Sequence, residues 1–134
     1  MRPRAKKLKV VIADDHRMFA EALTAILSTD ARINVVAQVG DGQAAVDLAR
    51  ELRPDVVVMD VAMPVMDGID ATRLIRAELP DTAVVVVTGS AALSDVSRAR
   101  AAGASAYVTK DQIAEDLVRA ILDAGSPGVE AKPS

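Results

Sequence analysis

The sequence predicts an α/β fold in which helices cover both faces of a doubly wound, five-stranded parallel sheet. Strand-like and helix-like segments alternate along its 134 residues, and strands linked by helices must run parallel with right-handed crossovers. The stretch VVVM at residues 56–59 is an unbroken apolar run, which is typical of a strand covered on both faces. The length of the chain fits one domain with one core.

Each predicted strand is followed by a helical pattern of apolar residues. The strands span residues 8–13, 33–39, 55–59, 83–87 and 106–109. The helix residues expected to face the core are Phe19, Leu23, Ile26 and Leu27 in the first, Ala45, Leu48, Ala49 and Leu52 in the second, Ala71, Leu74, Ile75 and Leu79 in the third, Val96, Ala99 and Ala102 in the fourth, and Ile113, Leu117, Ile121 and Leu122 in the last. The fourth helix has the thinnest stripe, so it should pack least firmly.

Composition argues against several classes of function. The net charge of −3 and the presence of one Phe, one Tyr and no Trp argue against nucleic-acid or membrane-surface binding by these residues. No cysteine is present, so disulfides and Cys-ligated zinc are excluded, and a cytoplasmic location is expected. The basic start, residues 1–7, is interpreted as a solvated tail, because the apolar stretch after it stops at Asp14, too soon for a signal or membrane segment.

Polar residues follow four of the predicted strands at the point where each strand ends. They are Asp14 and Asp15 after the first, Asp60 after the third, Thr88 after the fourth and Lys110 after the fifth. In doubly wound sheets, ligands bind beyond the carboxyl ends of the strands, so these side chains are expected to converge on one edge.

The chemistry of this group points to a bound cation and to phosphoryl transfer. Three carboxylates in one small site repel each other, and Mg²⁺ suits them because it binds one or two carboxylates together with phosphate oxygens. The ammonium of Lys110 and the hydroxyl of Thr88 would add groups that bind phosphoryl oxygens. We therefore interpret Asp60 as a nucleophile that becomes an acyl phosphate.

These motifs resemble the receiver domain of bacterial two-component response regulators. The resemblance rests on DD at residues 14–15, MDVAMPVMDG at 59–68, VVVVTGS at 84–90 and GASAYVTK at 103–110, and it covers residues 8–124. It implies a flavodoxin-like (CheY-like) fold with strand order 2-1-3-4-5. The protein would then be a signalling switch rather than an enzyme, although it would assist its own phosphorylation and dephosphorylation.

The resemblance also implies a role for each site residue. Asp60 would accept a phosphoryl group from a phosphohistidine on a sensor histidine kinase, and Lys110 would pair with Asp60 and then with the phosphoryl group. Thr88 would move to bond a phosphoryl oxygen, and Tyr107 would turn inward behind it.

The same resemblance implies which atoms bind Mg²⁺ and which side chains tune hydrolysis. Asp15, Asp60 and the main-chain carbonyl of Ala62 would bind the ion, and Asp14 would help through water. The side chains of Ala62 and Ser90 would flank the path of the hydrolytic water.

Two details resemble the NarL/FixJ (LuxR-type) branch of the family. They are DDH at residues 14–16 and Lys110 followed by Asp111, where many receivers have proline. Relatives in that branch carry a C-terminal helix-turn-helix domain, so DNA binding and transcription control are expected through such a domain, and a homodimer on phosphorylation. The residues here end in a linker-like tail, 125–134, so an excised receiver and a stand-alone regulator both remain open.

Other interpretations are open for some residues and for the function as a whole. Asp67 precedes Gly68 and is expected to cap the third helix. His16 is the single histidine, and an exposed position in a first helical turn is favoured over a ligand role. A phosphatase of the haloacid dehalogenase type would have DxD after the first strand, and a nucleotide-binding module would have a Gly-rich loop there. Neither pattern is present in that place.

Overall fold

The five strands form one parallel sheet in the order β2-β1-β3-β4-β5 in a computed structural model of the protein. The structure describes residues 7–89 and 93–125. The elements are β1 (Leu8–Ala13), α1 (Arg17–Ser28), β2 (Ile33–Val39), α2 (Gly42–Leu52), β3 (Val56–Asp60), α3 (Gly68–Glu78), β4 (Ala83–Thr88), α4 (Leu93–Ala101), β5 (Ala106–Thr109), a 3₁₀ turn (Lys110–Gln112) and α5 (Ile113–Gly125). The predicted fold class is confirmed.

Two apolar layers, one on each face of the sheet, hold the sheet between its helices. On one face, Val11, Val57 and Val84 pack with buried residues of α2, α3 and α4. On the other face, alternate residues of the same strands, such as Val10 and Val58, pack with α1 and α5. All five residues of β3 are buried, which agrees with the apolar run that predicted a strand covered on both faces.

Two strands end later than predicted, and the difference places two candidate site residues inside the sheet. Asp60 is the last residue of β3 and pairs with Val87, and Thr88 is the last residue of β4 and pairs with Thr109. Asp55, predicted to begin the third strand, lies before it, where its carboxylate accepts a hydrogen bond of 2.8 Å from the Lys9 amide. The polar residues at the strand ends are thus held by the ladder itself.

The predicted face of α3 is wrong at one residue. Leu74 is 38% exposed, whereas Thr72 is fully buried and its hydroxyl donates a 2.7 Å hydrogen bond to the Gly68 carbonyl. The hydrogen bond satisfies the buried hydroxyl, so Thr72 is tolerated at a core position while Leu74 lies at the margin of the buried face. Ile69, which the stripe omitted, is buried instead.

The structure describes little of the two predicted tails. The expectations about the tails concern residues that lie mostly outside the described part, namely 1–6 and 126–134. Among the helices that the structure describes, none is both long enough and apolar enough to cross a bilayer.

Gly68 allows α3 to begin directly against the end of β3. A Cβ at this position would lie 1.9 Å from the carbonyl oxygen of Asp60, a backbone atom that cannot move aside. As predicted, Asp67 caps the helix, and its carboxylate accepts a 2.9 Å hydrogen bond from the Asp70 amide. The first residue of α3 therefore packs directly against the backbone carbonyl of Asp60.

Gly68→Ala is expected to lower the free energy of unfolding by about 1–3 kcal/mol, because the added methyl group forces α3 away from Asp60. Gly89→Ala is the matched control, since a Cβ there meets no atom within 4 Å, and it should change stability by about 0.5 kcal/mol or less. Urea unfolding of both variants measures this. Equal stability of the two variants would contradict the close approach.

Candidate functional site

Two carboxylates lie side by side at the carboxyl end of the sheet. β1 and β3 are neighbours with Ala13 opposite Met59, so the next residues, Asp14 and Asp60, come together at the edge. Each of them is only 4% exposed. Asp14 Oδ1 accepts a 2.8 Å hydrogen bond from the His16 amide, which holds that carboxylate in place as the chain turns into α1.

One oxygen of each buried carboxylate has no hydrogen-bond partner among the residues that the structure describes. These atoms are Oδ2 of Asp14 and Oδ2 of Asp60. A buried carboxylate oxygen without a donor is costly, so the pair forms a place where a cation or a donor would be bound favourably.

Lys110 supplies the nearest positive charge. Its Nζ lies 3.6 Å from Asp60 Oδ1 and 3.9 Å from Asp14 Oδ2, distances that give attraction between charges but exceed that of a strong hydrogen bond. The Lys110 side chain is 28% exposed, so its ammonium remains partly hydrated. One partly hydrated ammonium thus faces two buried carboxylates.

Burial and nearby charges shift the pKa of the Asp60 carboxyl. Burial raises the pKa of the Asp60 carboxyl above its ordinary value, and the charge of Asp14 raises it further. The ammonium of Lys110 opposes this rise in pKa but does not cancel it. The pKa of Asp60 therefore stays above its ordinary value, so folding disfavours its charged form relative to the unfolded chain.

Asp15 and His16 complete a group of possible metal ligands. Donor atoms of Asp14, Asp15, His16 and Asp60 all lie within 4.8 Å of one another. Carboxylate oxygens are the ligands that Mg²⁺ prefers, and the two oxygens without donors face this group, so the residues fit the ion that the family resemblance implies. Asp14, Asp15 and Asp60 are the residues that would hold it.

Thr88 and Tyr107 connect the site to the edge strand. Thr88 is 6% exposed at the end of β4, and a hydrogen bond joins its hydroxyl to that of Tyr107 in β5. Burial raises the pKa of Tyr107, and the hydrogen bond with Thr88 works against that rise. A displacement of Thr88 would therefore change the hydrogen bonding of the Tyr107 hydroxyl.

The loop after Asp60 has a strained turn. The Met66 amide donates a 2.7 Å hydrogen bond to the Pro64 carbonyl, and Val65 between them has a φ of 69°. A β-branched residue at positive φ is uncommon, and the Val65 side chain is 83% exposed, so the hydrogen bond across the turn is the contact that the structure shows holding it. Ala62, whose carbonyl was expected to bind Mg²⁺, lies in this loop and is exposed, and Ser90 lies outside the described residues.

Clefts near the site differ in size and in chemistry. An open cleft of about 390 Å³ lies beside Asp14 and Asp15 and is bordered by Arg17 and Gln38. A larger one, about 640 Å³, runs between β5 and α5 and has Tyr107 as its one site residue. The smaller cleft thus borders two of the three carboxylates, Asp14 and Asp15, whereas the larger one is bordered by none of them.

Of the five residues that the strand ends predicted, the structure brings together Asp14, Asp15, Asp60 and Lys110, and it places Thr88 at the end of the neighbouring strand β4. Sequence reasoning missed two neighbours. His16 was interpreted as an exposed residue outside the site, but its Nδ1 lies 3.3 Å from Asp15 Oδ1. Its position directly after the two acids was the available signal. Phe19 was interpreted only as a core residue, and its ring lies beneath the Lys110 ammonium.

The fold and the acidic edge together define a receiver-type signalling domain. The family model of the response regulator receiver domain matches residues 10–122, and the chain belongs to that family.

The curated relatives that the chain matches are response regulators and transcriptional regulatory proteins that are longer than this chain. The chain is 35% identical over 126 residues to the transcriptional regulatory protein LnrK of Bacillus subtilis, covering 94% of this chain and 57% of that protein. It is 41% identical over 114 residues to the response regulator GacA of Pseudomonas aeruginosa, covering 85% and 53%. The chain thus spans about half the length of these relatives.

A solved structure agrees with this assignment. The signal receiver domain of the response regulator NarL from Mycobacterium tuberculosis is similar with a TM-score of 0.86 and 34% identity, over 91% of this chain and 98% of that one. The resemblance to the NarL/FixJ (LuxR-type) branch is therefore confirmed.

Asp60→Asn is expected to raise the free energy of unfolding at pH 7 without Mg²⁺ by on the order of 1 kcal/mol. The pKa of Asp60 is raised in the folded state, so the stability gained from its protonated form is present below the ordinary pKa of 3.8 and is lost as pH rises through the higher folded-state value. At neutral pH the charged form destabilises the fold, and an amide removes that cost.

Chemical denaturation between pH 3 and pH 8 measures the effect. The gain should shrink as the pH falls, and the exposed control Asp116→Asn should show no comparable gain at any pH. An Asp60→Asn protein that is less stable than the parent at pH 7 would contradict the description of the carboxylate pair.

Proposed function

We propose that this domain is a phosphorylation-activated switch of a two-component system and that Asp60 is the phosphoryl acceptor. The observation that carries the proposal is the buried carboxylate at the end of β3 with one oxygen lacking a donor and an ammonium 3.6 Å from the other. Such an oxygen is available as a nucleophile, and the surrounding groups suit the charge that phosphoryl transfer develops.

The transfer would proceed by attack on a phosphorylated imidazole. An oxygen of Asp60 forms a bond to phosphorus while the phosphorus–nitrogen bond breaks, and the imidazole leaves with that electron pair. The product is a mixed anhydride between the Asp60 carboxyl and phosphate. A bound Mg²⁺ would neutralise phosphoryl oxygens during this step. Lys110 would bind one of those oxygens, and the Thr88 hydroxyl would donate to another.

The proposed role of Tyr107 follows from its hydrogen bond with Thr88. When Thr88 turns to the phosphoryl group, that bond must break or move, and Tyr107 would follow inward. Phosphorylation would thereby shift the population of two conformations of the β4–β5 side of the sheet. This is signalling by a change of shape rather than catalysis on an external substrate.

The partners are inferred from the relatives. The donor would be a sensor histidine kinase, and the location would be the cytoplasm, together with that kinase's phosphohistidine domain. Because LnrK is named as a transcriptional regulatory protein and is longer than this chain, we propose that the output is transcription through a DNA-binding domain joined to residues 8–124. Pairing of two phosphorylated copies would accompany that output.

Acetyl phosphate with Mg²⁺ is expected to add the mass of one phosphoryl group to the protein. Asp60→Asn should abolish the adduct, because an amide of nearly the same shape cannot attack phosphorus. Intact-mass spectrometry measures both proteins, and peptide mapping places the group. A full adduct on the Asp60→Asn protein would remove Asp60 from the proposed role.

Two controls separate the metal from the nucleophile. Chelation of Mg²⁺ should stop the reaction, and Asp15→Ala should weaken Mg²⁺ binding and slow it, whereas Asp116→Ala in α5 should behave as the parent does. Calorimetric titration measures the binding. Mg²⁺ affinity that is unchanged by Asp15→Ala would show that the ligand assignment is wrong.

The phosphorylated form is expected to persist for minutes or longer after the donor is removed. Ala62 offers no hydrogen bond to a hydrolytic water and Ser90 is too short to reach far, so the water gains little positioning, an effect that normally contributes much to such reactions. Loss of the adduct is followed by mass spectrometry over time, and Ala62→Asn, which adds a polar group, should shorten the lifetime. Decay of the parent within seconds would contradict the argument.

A further inference from the structure

The ammonium of Lys110 has a third neighbour that carries no charge. Its Nζ lies 4.4 Å from the centroid of the Phe19 ring, within the range in which a cation is attracted to an aromatic face. Phe19 is one of only two aromatic residues in the chain, and the core is otherwise aliphatic. An aromatic ring at this one place therefore distinguishes the site from the general packing.

Phe19 is well placed to hold this position. It lies in the first turn of α1, which begins directly after Asp14, Asp15 and His16. The ring is partly buried and packs against the apolar layer that α1 shares with α5, so its position is fixed by the core. Helix α1 thereby supplies a rigid surface beneath Lys110.

Lys110 itself stands on a short turn that needs such support. It opens the 3₁₀ turn Lys110–Gln112, beside which the Thr109 hydroxyl donates a hydrogen bond to the Asp111 carboxylate. That bond does not involve the long Lys110 side chain, which has several rotatable bonds. The side chain is held by its contacts with Asp14, Asp60 and the ring.

The ring differs from the two carboxylates in how it responds when the site is filled. Asp14 and Asp60 attract Lys110 through charge, and that attraction weakens when their charge is shared with a cation. The attraction to the ring depends on the aromatic face and is kept. We propose that Phe19 is a positioning residue that holds the ammonium of Lys110 at the acceptor site while the carboxylates bind other groups.

This inference rests on the proposed function and deepens it. Phe19 touches neither the carboxylates nor the phosphoryl group in the proposal, and it acts through Lys110 alone. Substitution to leucine keeps an apolar side chain but removes the aromatic face, and tryptophan restores a stronger face. The variants Phe19→Leu and Phe19→Trp therefore separate packing from cation binding.

The first test is spectroscopic and does not depend on phosphorylation. In the parent, the ε-methylene protons of Lys110, assigned with Lys110→Ala, should resonate upfield of those of the other lysines, because they lie over the ring. The shift should be lost in Phe19→Leu and should persist when Mg²⁺ is added to the parent. Lys110 signals that are the same in the parent and in Phe19→Leu would overturn the inference.

The second test is a double-mutant cycle on the rate of phosphorylation by acetyl phosphate. Phe19→Leu should slow the reaction by about 5-fold, the effect of a partly exposed cation–π contact, and Phe19→Trp should restore it. In the Lys110→Ala background, Phe19→Leu should have no further effect. Ile26→Val, which trims the same face of α1 away from Lys110, is the packing control and should leave the rate unchanged.

The outcomes distinguish this inference from the proposed function. An equal slowing by Phe19→Leu with and without Lys110 would show that Phe19 acts through the fold, which would overturn the inference. If the parent gains no phosphoryl group at all, the proposed function fails, and the ring-dependent shift of Lys110 still decides whether Phe19 holds the ammonium.

Discussion

The mutual repulsion of two buried carboxylates, held in place by the sheet, is the constraint on which the site depends. Asp14 and Asp60 cannot move apart, because each follows or ends a central strand whose other residues are fixed in the core. They cannot both be satisfied, because one oxygen of each lacks a donor among the described residues and Lys110 is the nearest cation. A site with this unfavourable ground state gains free energy from any ligand that supplies positive charge.

The rest of the fold serves to keep that arrangement rigid. β3 is buried along its whole length. The start of α3 packs against the Asp60 carbonyl, which is possible because Gly68 has no side chain. The other side is closed by α1, which starts where the hydrogen bond from the His16 amide to Asp14 turns the chain. The requirements of stability and of the proposed function are therefore opposed at the pair Asp14 and Asp60. The apolar layers supply the free energy that tolerates the charged edge.

The sequence predicted the fold and the convergence of the acidic residues with Lys110 at one edge of the sheet, because both depend on patterns along single elements. Alternating strands and helices specify parallel pairing, and polar residues at strand ends specify the edge where they meet. The details that failed depend on neighbours in space. Whether Leu74 or Thr72 turns inward depends on how α3 is rotated against the sheet, and the buried residues Ile69, Ala71 and Ile75 show which side faces it. The contact between Phe19 and Lys110 joins residues 91 positions apart (110 minus 19), which no local pattern can show.

The strands of the sheet are not equally buried, and the candidate site is connected to one of the less buried strands. β1, β3 and β4 are each paired on both sides, whereas β5 is an edge strand paired with β4 alone. Three of its four residues are only partly buried, so moving it disturbs less apolar contact than moving a central strand. Thr88 reaches this strand through the Tyr107 hydroxyl, and Lys110 follows it directly. Two of the groups that would bind a phosphoryl oxygen are thus coupled to a partly buried edge strand, whereas the proposed acceptor lies in β3, a central strand that is buried along its whole length.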